Sequence, residues 1–82
     1  SIKKKRIENV GEFEVRIEMK NNIVKQVNIM GDFFLTGDID NRLLAKLKNI
    51  PYTEEAIRQA LPQRVDDIIM NLSKEDFIKL II

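Results

Sequence analysis

Phe13-Glu14-Val15-Arg16-Ile17-Glu18-Met19 alternates without a break: Phe13, Val15, Ile17 and Met19 fall on one side, Glu14, Arg16 and Glu18 on the other. A period of two puts these sets on opposite faces of a β-strand. One face then meets a core and the other meets water, as in a half-buried antiparallel sheet. Asn21-Asn22 follows directly, and asparagine tolerates the left-handed backbone of a tight hairpin turn. The next run, Ile23 to Met30, carries Val24, Val27, Ile29 and Met30 and pairs back as the second arm. Upstream, Ile2 to Ile7 reads as a further strand, separated from Phe13 by a turn near Asn9-Val10-Gly11. The expectation is a three-stranded antiparallel meander with one apolar face.

After Gly31 the period changes. From Asp38 onward, Ile39, Leu43, Leu44 and Leu47 recur at helical spacing. Asn49-Ile50-Pro51 stops that helix, since the residue before a proline is pushed out of the α region. Thr53 has the character of an N-cap, with Glu54 and Glu55 in the first turn against the helix dipole. Tyr52 and Ile57 match a hydrophobic staple around it, and Pro62 ends this second helix. Val65, Ile68, Ile69 and Leu72 mark a short third helix. Ser73-Lys74-Glu75-Asp76 is a capping-box pattern, with Leu72 and Phe77 as its staple, opening a last helix that buries Phe77, Leu80 and Ile81. Strands followed by about four helices give an α+β order, with the helices packed on one face of the sheet.

The chain has 82 residues, enough for one domain over residues 1–82. A chain of this size buries only about 60% of its unfolded surface, so its core is thin. It is 44% hydrophobic and 33% charged, and no apolar run approaches the ~18 residues of a membrane span. Its first residue is Ser, not Met, which suggests a processed product or a piece of a longer chain. Having no cysteine, it offers neither disulfide nor thiolate chemistry and suits the cytoplasm. Having no histidine, it lacks the commonest general base and metal ligand.

A net charge of +1 argues against nucleic-acid or membrane partners. Charge is uneven only at Lys3-Lys4-Lys5-Arg6, read as a solvated edge strand whose lysines discourage strand-to-strand aggregation. A phosphate-binding stripe would want interleaved aromatics, and there are none. Gly11, Gly31 and Gly37 are too far apart for a phosphate-cradling loop. The hydroxyl candidates, Ser1, Thr36, Thr53, Ser73 and Tyr52, have no histidine with which to build a triad. Asp32, Asp38 and Asp40 lack the spacing and terminal Glu of a calcium loop; Asp38 and Asp40 read as helix-start residues. No catalytic residue and no metal site emerges.

One stretch stands apart: Gly31-Asp32-Phe33-Phe34, where strands give way to helices. Glycine permits a sharp turn or a close backbone approach, and two adjacent aromatics cannot both point to one strand's core face. Either one Phe fills the core while the other reaches a partner, or both are core aromatics under the connecting loop with Asp32 bracing the turn.

Gly11-Glu12-Phe13-Glu14-Val15-Arg16, then Ile29-Met30-Gly31-Asp32-Phe33-Phe34, closely resembles the small C-terminal domain of bacterial lipoate–protein ligases. The similarity continues through Gly37-Asp38-Ile39, Ile50-Pro51-Tyr52-Thr53-Glu54-Glu55-Ala56-Ile57 and Leu72-Ser73-Lys74-Glu75-Asp76-Phe77. The sequence departs from the family in having Leu35-Thr36 after the Phe pair, where smaller residues are usual. The resemblance implies a lid on a larger catalytic domain, carried by the same chain or a separate subunit. That larger part would use ATP, with Mg, to activate lipoate as lipoyl-adenylate and then pass the lipoyl group to a lysine of a carrier domain. It further implies Gly31, Asp32, Phe33 and Phe34 as the partner-facing loop, with no cofactor bound by this domain alone. The scaffold also resembles that of iron–sulfur assembly proteins, whose function does not carry over without cysteine. The alternative is a stand-alone protein-binding adaptor with no catalytic role.

Overall fold

The computed structural model describes residues 1–82. Strands β1 (Ile2–Ile7), β2 (Gly11–Lys20) and β3 (Ile23–Asp32) form one antiparallel sheet in the order β1-β2-β3. Asn21 and Asn22 both take positive φ, 53° and 63°, at the hairpin tip, the backbone a right-twisted hairpin requires. Phe13, Val15 and Ile17 are buried as the alternation predicts. Met19, at the far end of that face, is largely exposed. On β3, Val24 and Val27 are an odd number of residues apart yet both buried. A register shift beside Glu18 and Met19 pairs Gln26 with Glu18 and Val24 with Met19, leaving Lys25 unpaired. That one extra residue is a β-bulge, and it returns both valines to the core face.

Three α-helices follow, not about four: α1 (Ile39–Arg42), α2 (Glu54–Ala60) and α3 (Lys74–Ile81). Two of the expected helices are shorter than their apolar spacing suggested. The leucine helix breaks at Leu43, whose backbone (φ −129°, ψ −67°) leaves helical geometry as its side chain becomes fully buried. A 3-10 turn over Leu44–Leu47 then brings Leu47 into the core. The stretch with Val65, Ile68, Ile69 and Leu72 forms only a 3-10 turn, Val65–Asp67. Beyond Asp67 the Ile68 carbonyl accepts from Thr36 N–H at 2.8 Å, and Met70 N–H donates to the Phe34 carbonyl at 2.9 Å. Pairing with a distant segment thus replaces helix continuation.

Seventeen buried residues form one core cluster, all of them hydrophobic. The largest fully buried side chain is Phe77 on α3, a helix that packs against β1 and β2 on the face carrying Phe13, Val15 and Ile17. Side-chain caps open all three helices: Asp38 accepts from Asn41 N–H, Thr53 Oγ1 from Ala56 N–H and Ser73 Oγ from Asp76 N–H, each at 3.1 Å. The two hydrogen bonds from Asn41 hold the Asp38 carboxyl below its usual range. Tyr52 packs against the core and donates through its hydroxyl to the Ile81 carbonyl at 2.8 Å. Ser73→Ala should lower stability by about 1 kcal/mol, read as a shift of the urea midpoint at unchanged slope; an unshifted midpoint would mean the cap contributes nothing.

Candidate functional site: an outward aromatic on a tethered loop

Gly31 and Asp32 are the last two residues of β3, opposite Phe13 and Glu12 of β2. Close approach, not a sharp turn, is what the glycine serves. A Cβ on Gly31 would lie 2.0 Å from the Glu12 carbonyl oxygen, and one on Gly11 would lie 1.9 Å from that of Asp32. Both glycines hold a positive φ, 145° and 147°, that side-chain-bearing residues rarely adopt. The Asp32 side chain makes no hydrogen bond within the chain, so it braces no turn; it lines an open groove of about 440 Å³ together with Lys4, Arg6, Glu12 and Glu14. Acids and bases are mixed there, and Lys4 and Arg16 both approach Glu14 at 3.6 Å. Such a surface does not concentrate phosphate.

The two phenylalanines part company. Phe33 stacks on Phe13, ring centroids 4.7 Å apart and planes 19° from parallel, and packs against the core. Phe34 is 72% exposed.

Exposure alone is ordinary for a single side chain, but the backbone under Phe34 is pinned. Leu35 bridges to Ile69, Phe34 accepts from Met70 N–H, and Thr36 bonds through both its amide and its hydroxyl to Ile68 and Asp67. The Thr36 hydroxyl therefore adds a side-chain bond to a tether otherwise made of backbone. In this antiparallel bridge Phe34 and Met70 lie opposite each other on the same side, and Met70 is itself 44% exposed. Leu35 is 50% exposed. Sequence reading missed Met70, although its signal was available: it is an apolar residue off the buried stripe of Val65, Ile68, Ile69 and Leu72. Beside the tether, the Arg64 guanidinium bonds the Asp66 carboxylate at 2.8 and 3.0 Å and holds it below the usual range. As an exposed pair it adds little stability.

A family model of the bacterial lipoate protein ligase C-terminus matches residues 1–81. The chain belongs to that family. A search of curated proteins found no match. No three His, Cys, Asp or Glu side chains gather in a way that would hold a metal ion. No helix is long and apolar enough to cross a membrane.

Proposed function

We propose that this domain is the accessory lid of a cytoplasmic lipoate–protein ligase. It docks onto a catalytic domain, in the same chain or a separate subunit, that binds lipoate, ATP and Mg. In the closed state it supports activation of lipoate to lipoyl-adenylate and then transfer of the lipoyl group to a lysine of a carrier domain. The observation that carries this reading is Phe34, held outward on a backbone bonded at both sides while its neighbour Phe33 is stacked inward. An aromatic on a rigid support gives up little entropy when it enters a partner's pocket. Gly31 and Asp32 set the end of the strand from which that loop departs.

The chemistry asked of such a lid is water exclusion. An acyl-adenylate is readily hydrolysed, and closing an apolar surface over it protects the intermediate and completes the site. Phe34, with Met70 opposite it, offers that surface.

Adenylate formation should be followed with a catalytic domain lacking its C-terminal part, lipoate and ATP, with and without this chain. Addition of the chain is expected to raise the rate by roughly tenfold or more, about 1.4 kcal/mol of barrier per decade. Equal rates in both mixtures would remove the lid reading and leave the adaptor.

A further inference from the structure

Strand β1 has a backbone edge that no other part of the fold covers. Ser1 and Ile17 exchange both backbone hydrogen bonds, at 3.1 Å each, and the register continues from Ile2 opposite Arg16 to Ile7 opposite Gly11. Antiparallel strands alternate bonded and non-bonded pairs. Lys3, Lys5 and Ile7 therefore turn their N–H and C=O groups toward β2, and Ile2, Lys4 and Arg6 turn theirs outward. Four of the six side chains of β1, Lys3 to Arg6 in succession, are basic. Lys4 and Arg6 lie on the open face of the sheet, Lys3 and Lys5 on the helix-bearing side. Lys3 Nζ is engaged by the Lys79 carbonyl at 2.7 Å and Lys4 meets Glu14 at 3.6 Å. Lys5 and Arg6 have neither an ion pair nor a side-chain hydrogen bond.

We propose that this edge is a docking strand for an extended acidic segment of a partner protein, which joins the sheet as a fourth strand. Three outward N–H and C=O pairs at strand spacing are met by another strand. Side chains directly opposite in an antiparallel pair interact, favourably when their charges are opposite and unfavourably when they are alike. A second copy paired antiparallel through the outward groups would set Lys4 against Lys4 and Lys3 against Lys5, so self-association is opposed. An acidic strand reverses every one of those terms. It also extends an alternation already present, because Glu12 and Glu14 of β2 flank Arg6 and Lys4 on the other side. Neighbouring strands are about 4.8 Å apart, so the added carboxylates would lie roughly 10 Å from those of β2, about a Debye length away at physiological salt. A nucleic acid would leave the three backbone pairs unused, and it would meet Glu12, Glu14 and Asp32 in the adjoining groove.

The test is an NMR titration of this chain with a short synthetic peptide carrying a run of glutamates flanked by valine and threonine. Binding is expected to slow hydrogen exchange at the Ile2, Lys4 and Arg6 amides. Affinity should fall roughly tenfold in the Lys4→Gln, Arg6→Gln double variant, and similarly when alternate peptide amides are N-methylated. Several results would overturn the proposal: no binding, undiminished binding of the N-methylated peptide, unchanged exchange at the three amides, or tighter binding of a single-stranded oligonucleotide at the same residues. Amide shifts on α3, outside the surface, report that the variant remains folded.

Discussion

Gly31→Ala is expected to remove a large part of the chain's stability. The new methyl carbon would arrive 2.0 Å from the Glu12 carbonyl oxygen and 2.9 Å from its carbon. Both are backbone atoms inside the sheet, so no flexible side chain can swing aside. The positive φ of 145° adds its own penalty, of order 1–3 kcal/mol for a residue with a Cβ. Steric displacement of β2 from β3 comes on top, for a total loss of about 3–5 kcal/mol. A chain of this length holds roughly 4–12 kcal/mol in all, so the loss removes much of what there is. Urea denaturation checks it. A midpoint equal to that of the parent chain would show that the two strands do not approach as closely as Gly11 and Gly31 indicate.

The second large effect separates Phe33 from Phe34. Phe33→Ala removes a ring stacked on Phe13 and packed against the core, and should cost about 2–4 kcal/mol of stability. Phe34→Ala removes a ring mostly in water and should change stability by less than about 0.5 kcal/mol. For activation of lipoate by a separate catalytic domain the order reverses. Phe34→Ala is expected to reduce the stimulation at least tenfold, about 1.4 kcal/mol, while Phe33→Ala acts only through the fraction of chain unfolded. The measurement is adenylate formation at saturating chain, below each variant's unfolding temperature. Full stimulation by the Phe34 variant would mean that docking uses another surface.

Much of the fold is legible in the sequence because its signals are local. Phe13, Val15 and Ile17 announce a half-buried strand, Asn21-Asn22 a tight turn, and Thr53 and Ser73 the starts of helices; each rests on contacts within a few residues. What is not legible depends on partners far along the chain. Val24 and Val27 have the wrong parity for one face until the bulge at Lys25 is known. Leu43 and Ile68 keep the apolar spacing of helices, yet core burial at one and cross-chain pairing at the other override it. The candidate site shares this mixture. That two adjacent aromatics diverge follows from strand geometry; which one faces out is decided by Phe13 on one side and residues 68–70 on the other.

Those last pairings carry a consequence for biosynthesis and quality control. The segment that presents Phe34 gains its backbone partners only from the region just before the final helix, long after the three strands have left the ribosome. A chain cut short before residue 68 lacks the backbone partners that aim that ring, so under the proposed lid role it would not dock.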